Sequence, residues 1–279
     1  MGKLQFVPVL KMPVSSLAAL RLWSRLMKSA TDARLVLFPG IGVDGRLYEP
    51  QRKLPVKIEV PHWIEPESGS ETLAHYAERM AATVRGGGRL YIGGCSMGAM
   101  LALEAARHLD AAGVLLIGGC RSNLDLSPLF RSVCAATASM PPPWIQPVIR
   151  LSAPAGFLLF EDLSAGHTKL MTTMMLEHSP GQLRWAAEAI LGWELEADPP
   201  APIYAIHGEI DEVIPLANVS PDEVIPGGRH LIHLTHAKEV NHFLASRMGL
   251  NGFSVCNGGP RSGESPRQQS RGERAYEPS

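Results

Sequence analysis

No stretch of this chain offers about 18 uninterrupted apolar residues, so no membrane-spanning helix is expected. A dominant charge is missing too. The 26 Lys and Arg nearly balance the 27 Asp and Glu, for a formal net charge of −1. That supplies no bulk attraction to nucleic acid or anionic lipid, and no nucleic-acid partner is expected. The four cysteines (Cys95, Cys120, Cys134 and Cys256) form no C-x-x-C pair. They read as buried or incidental thiols of a reducing compartment, the cytoplasm, over a disulfide or metal set. H-E-x-x-H is absent, and Gly86-Gly87-Gly88 precedes a strand without a following Lys-Ser/Thr, so it is a turn and not a phosphate loop. No repeat period is present.

Acidic residues are scarce at one end and apolar residues at the other. The first acid is Asp32, behind Lys3, Lys11, Arg21, Arg25 and Lys28. Polar residues interrupt any secretory apolar core. "SSLAALRLWSRLM" fits a basic amphipathic helix in weak contact with a membrane surface. The preferred alternative takes Met27 as the functional start, since "MKSATDARLVLFPG" runs straight into the first strand. Residues 1–30 are thus a basic extension. Residues 253–279 hold five hydrophobic residues (Phe253, Val255, Cys256, Ala275 and Tyr276), too few to offset their ordering entropy, so 251–279 is expected to be a disordered tail.

At 279 residues the chain is long enough to bury a large core. Short apolar runs alternate with helical patterns: "RLVLF" (34–38), "VKIEVP" (56–61), "RLYIGG" (89–94), "GVLLIGG" (113–119), "PIYAIHG" (202–208) and "DEVIPGG" (222–228). A helix is predicted over 71–84, where Leu73, Tyr76, Ala77, Met80 and Val84 recur at helical spacing. Strands that are apolar throughout suit a sheet covered on both faces, hence a mainly parallel, doubly wound α/β fold. Residues 121–200 break the rhythm. They contain no convincing strand but carry Trp144, Trp185, Trp193, Met140, Met171, Met174 and Met175. They read as a helical cap inserted over the carboxyl edge of the sheet, where ligands bind in such folds. The core is then 31–120 and 201–250.

Gly94-Cys95-Ser96-Met97-Gly98 fits G-x-S-x-G between a strand and a helix. Such a turn holds a serine in a strained backbone and projects its hydroxyl above the sheet, with the glycines removing side chains that would collide. On this motif, "LFPGIGVDG" (37–45), "IHGEIDEVIP" (206–215) and "IPGGRHLIHLTHAKEVNHFL" (225–244), the chain resembles the α/β-hydrolase superfamily. The resemblance implies a serine hydrolase with Ser96 as nucleophile, Asp211 as the triad acid and His230 as the base. The backbone N–H groups of Ile41 and Met97 would form the oxyanion hole. Pro39 stands where the family usually has a histidine, which leaves the backbone donors in place. Glu209, Glu212, Asp222 and Asp125 remain rivals for the acid. His233, His236 and His242 remain rivals for the base. Cys95 is expected to turn into the core, and His207 to brace the loop carrying Asp211.

The expected activity is cleavage of carboxylic esters with small to medium apolar acyl groups, without cofactor or metal, on a small-molecule ester. A thioesterase, acyltransferase or C–C-bond hydrolase would use the same residues. A small-molecule binding protein on the same scaffold is the non-enzymatic alternative.

Overall fold

Every side chain of the first strand is buried, because both faces of the sheet at this point are covered. A computed structural model describes residues 33–160 and 163–250, with only the backbone described for 156–160. The expectations for residues 1–30 and 251–279 fall outside the described residues. Strand β1 (Ala33–Phe38) lies between β2 (Lys57–Glu59) and β3 (Arg89–Cys95). The sheet continues through β4 (Gly113–Ile117), β5 (Ile203–Gly208) and β6 (Glu223–Ile225). All five neighbouring pairs are parallel, in the order β2-β1-β3-β4-β5-β6. The parallel, doubly wound sheet read from the apolar runs is present.

Alternate residues feed two cores. Val36, Phe38, Ile92, Val114 and Leu116 pack with helices α1 (Leu73–Ala81) and α2 (Met97–Ala105). Leu35, Leu37, Tyr91, Leu115 and Ile117 belong to a second core, which includes Leu47 and Tyr48 of a 3-10 segment (Gly45–Lys53). After β1 the chain moves to one side of the sheet, and after β2 it returns to the other side of β1. The strand order therefore reverses between β1 and β3. The crevice beyond the carboxyl ends at such a reversal is the natural ligand site of an open α/β sheet.

Helix α1 is shorter than its apolar spacing suggests. The Thr72 hydroxyl accepts the His75 N–H at 3.2 Å and caps the helix there. Glu71, left outside, receives Arg79 Nη1 at 2.9 and 3.0 Å. Between β4 and β5, in the stretch that reads as a cap, lie four helices: α3 (Pro128–Ser139), α4 (Pro142–Phe160), α5 (Ala165–Glu177) and α6 (Pro180–Leu191). Three begin at a serine whose hydroxyl accepts an early N–H: Ser127 from Phe130, Ser164 from His167 and Ser179 from Gln182. Pro128 and Pro180 then occupy the first turn, where a missing N–H costs nothing. The last described elements are α7 (Ile232–Thr235) and α8 (Ala237–Arg247), the latter packed on the second core through Val240, Phe243 and Leu244.

Two of the cap tryptophans fasten the cap to the body. The Trp185 ring lies 4.2 Å from that of Tyr76, and its indole N–H donates to the Glu71 carbonyl at 2.8 Å. The Trp193 N–H donates to Glu104 Oε1 at 2.8 Å. Trp144, by contrast, is 65% exposed. Replacing Trp185 with Phe leaves the Glu71 carbonyl without this partner and should lower unfolding stability by about 1–3 kcal/mol. Trp144→Phe should stay within about 0.5 kcal/mol of wild type. Urea denaturation midpoints of the two variants check this, and equal midpoints would remove Trp185 as the fastening.

Candidate active site

The serine at the joint of β3 and α2 has φ 58° and ψ −126°, and it is the one non-glycine residue at positive φ among the described residues. Such a backbone costs of order 1–3 kcal/mol and persists only where its surroundings enforce it. Here the enforcement is crowding. A Cβ on Gly98 would lie 2.1 Å from the Phe38 carbonyl oxygen, and one on Gly94 would lie 2.5 Å from Gly98 and 2.6 Å from the same oxygen. Strand β1, strand β3 and helix α2 thus meet at closest backbone approach directly beneath Ser96. Cys95 is buried in the core, as its place before the turn suggested. Burial pushes the Cys134 thiol up to about 12 and raises Cys120 as well, so neither is a reactive thiolate.

Asp211 and His230 come together under the same crevice. His230 Nδ1 is 2.8 Å from Asp211 Oδ2, and both residues are buried. The other carboxylate oxygen, Oδ1, accepts the N–H groups of Val213 and Ile214, each at 2.8 Å. His207 Nε2 lies 3.3 Å from Oδ2 and 2.8 Å from the Ile214 carbonyl, so it bonds the loop that carries Asp211. Burial favours the protonated acid. It is outweighed by the charge of His230, by hydrogen bonds from His207 and His230, and by the Ile214 N–H, which hold the Asp211 carboxyl well below its ordinary value. An ionised carboxylate at this distance requires a proton on His230 Nδ1, which makes Nε2 the basic nitrogen.

The rival acids are occupied elsewhere. Asp125 accepts the N–H groups of Arg121 and Ser122, and Asp222 that of Ala205. Glu209 accepts the Gly227 N–H, and Glu212 pairs with Arg229. Of the rival histidines, His242 is exposed and His236 starts helix α8. His233 is fully buried, its ring 5.5 Å from that of Tyr48. Among the described residues, Glu67, Glu71 and His75 bring three metal-type ligand atoms within 4.8 Å of one another. The Arg79 guanidinium already sits on it, 2.9 Å from Glu71 and 3.3 Å from Glu67, which makes it an ion-pair network.

Gly118 escaped sequence reasoning, although "GG" at the end of β4 was its signal. It adopts φ 52°, and a Cβ there would come within 3.4 Å of His230 Nδ1 and 3.6 Å of Asp211 Oδ2. The positive φ favours glycine here, and it lets the end of β4 run in van der Waals contact with the pair.

Ser96 and His230 both line a cavity of about 600 Å³, together with Gly40 and Ile41 from the loop after β1. That volume is typical of small-molecule pockets. Leu129, Val133, Met140, Met171 and Met175 from the cap complete it, with Thr137 and Ser152 among the few polar groups. No cap tryptophan lines it, although Phe130 of α3 does. Ile41 flanks the elbow, since a Cβ on neighbouring Gly40 would lie 3.8 Å from that of Ser96. Met97 opens helix α2, whose first-turn N–H groups have no partner within the helix.

The chain belongs to the alpha/beta hydrolase family, whose model matches residues 20–243. That membership supports a hydrolase. No curated protein matches the sequence. Among solved structures, the chain is similar to a thermophilic esterase from Thermogutta terrifontis, with 17% identity, a TM-score of 0.58, and 79% of this chain and 90% of that one covered. An esterase from Exiguobacterium antarcticum aligns at 15% identity and TM-score 0.62, covering 78% and 92%. The enol-lactonase from Burkholderia xenovorans LB400 aligns at 15% and 0.60, also covering 78% and 92%. At these identities the likeness establishes the shared fold. No described helix is long and apolar enough to cross a membrane.

Desolvation lowers His233 from its ordinary 6.5 to about 3. Between those values the unfolded chain binds a proton that the native chain refuses, so stability falls as pH drops from about 6.5 toward 3. His233→Phe should flatten that decline. Urea midpoints at pH 7 and pH 4.5 test it, and parallel declines in both proteins would show that His233 does not drive the loss.

Proposed function

We propose that this protein is a serine hydrolase that cleaves carboxylic esters of small to medium apolar acyl groups through an acyl-enzyme intermediate. One observation carries the reading. A serine strained to φ 58° borders an apolar cavity together with a histidine whose Nδ1 is held by a buried carboxylate. Strain at a turn serine is a cost without benefit unless its hydroxyl must reach a ligand.

In this mechanism Ser96 Oγ attacks the ester carbonyl while His230 Nε2 takes its proton. Asp211 holds the imidazole in the Nδ1–H tautomer and stabilises it when charged. The N–H groups of Ile41 and Met97 receive the oxyanion, a contribution worth about 3–4 kcal/mol for one donor in a well-studied case. Collapse of the tetrahedral intermediate breaks the carbonyl–alkoxy bond, and the imidazolium protonates the departing alkoxide. Water, deprotonated by the same imidazole, then releases the acid and restores Ser96. The apolar lining favours an apolar acyl or alcohol group, and the methionines adapt to more than one shape. The esterases and the enol-lactonase among the solved neighbours agree with this substrate class.

Hydrolysis of a p-nitrophenyl ester series from acetate to palmitate, beside Ser96→Ala, is the direct test. Turnover should fall by at least about 1,000-fold in the variant, and a fluorophosphonate should label wild type but not the variant. The chain length with the highest kcat/KM then gauges the cavity. An inert wild type that takes no label would favour a ligand-binding role instead.

A further inference from the structure

Tyr48 takes no part in the chemistry above, yet its hydroxyl touches both halves of the site. It donates to the Phe38 carbonyl at 2.8 Å and accepts the Cys95 N–H at 2.8 Å. Phe38 ends β1 and stands three residues before Ile41, while Cys95 ends β3 and stands immediately before Ser96. The Phe38 carbonyl is also the oxygen against which Gly94 and Gly98 are packed. One buried oxygen atom therefore joins the strand that leads to one oxyanion donor with the strand that leads to the nucleophile and the other donor.

The phenol is itself firmly held. Tyr48 is fully buried, its ring rests against that of His233, and Gln51 of the same segment donates to the His233 carbonyl at 2.9 Å. Burial raises the phenol well above its ordinary value. It therefore keeps its proton, and its two bonds keep one sense: proton to the carbonyl, lone pair to the amide.

We propose that Tyr48 is a positioning residue for ester hydrolysis, its hydroxyl setting the spacing between the Ser96 elbow and the Ile41 loop. This rests on the serine-hydrolase reading. Removing the oxygen leaves a buried carbonyl and a buried N–H short of a partner, and the two strand ends resettle around the gap. A shift of a fraction of an ångström between Ile41 and Ser96 barely touches ground-state binding, which the apolar cavity dominates. It weakens contacts made only as the oxyanion forms, so the loss falls on kcat.

A merely structural hydrogen bond would behave differently, and the molecule contains its own control. The Tyr76 hydroxyl also bridges backbone groups, donating to the Ile64 carbonyl at 2.8 Å and accepting the Ile64 N–H at 3.1 Å. It does not border the cavity. The experiment compares wild type, Tyr48→Phe and Tyr76→Phe in hydrolysis of p-nitrophenyl butyrate and in urea denaturation. kcat is normalised to sites titrated by a fluorophosphonate, so that a partly unfolded sample does not mimic a slow one. Both variants should lose stability. Tyr48→Phe should lose about 10- to 100-fold in kcat with KM within about twofold, whereas Tyr76→Phe should keep kcat within about twofold. An active wild type beside an equally active Tyr48→Phe overturns this role alone, as does an equal kcat loss in both variants. A wild type that neither turns over the ester nor takes the label overturns the hydrolase reading and this role with it.

Discussion

The contact on which the rest of the structure depends is the meeting of the Phe38 carbonyl with Gly94 and Gly98. A side chain at either glycine would overlap backbone atoms at 2.1–2.6 Å, so β1, β3 and α2 converge only because both are bare. That convergence bends the chain sharply enough to hold Ser96 at φ 58°. It also brings the loop after β1 alongside the turn after β3, at the point where the strand order reverses. The crevice, the half-buried serine at its edge and the helix N-terminus beside it follow from one close approach.

The second organising feature is electrostatic. Asp211 is a carboxylate taken almost entirely out of water, an arrangement that is unfavourable unless its lone pairs are filled. Val213, Ile214, His207 and His230 contribute the N–H groups around it. The same bonds orient the His230 ring. Polarity is thus concentrated on the floor of the cavity, while the walls from α3, α4 and α5 are largely apolar. In the proposed reaction the floor supplies the chemistry and the walls choose the acyl group.

The cap divides its labour by residue type. Trp185 and Trp193 use large apolar faces and a single N–H each to bind the cap to the body. Met140, Met171 and Met175 face the cavity. Rigid rings with one donor suit an anchor that must not move. Unbranched thioethers suit a wall that accommodates more than one shape.

Much of this was legible in the residues. Strands apolar throughout announced a sheet covered on both faces, because a half-exposed strand would alternate. The glycine spacing around Ser96 announced a close backbone approach, since no other residue tolerates one. Local order along the chain carries such information, as each feature depends on a few neighbouring residues. The adjacency of Asp211 and His230 was one pairing among five acids and four histidines, and it depends on which side chains meet beyond the ends of β5 and β6. The partners of Gly118 and Tyr48 were invisible for the same reason. A glycine packed beside a distant imidazole, and a phenol that ties a strand 10 positions back to one 47 positions ahead, owe their meaning to those partners. Spacing in the sequence records the turns, and packing alone decides what they face.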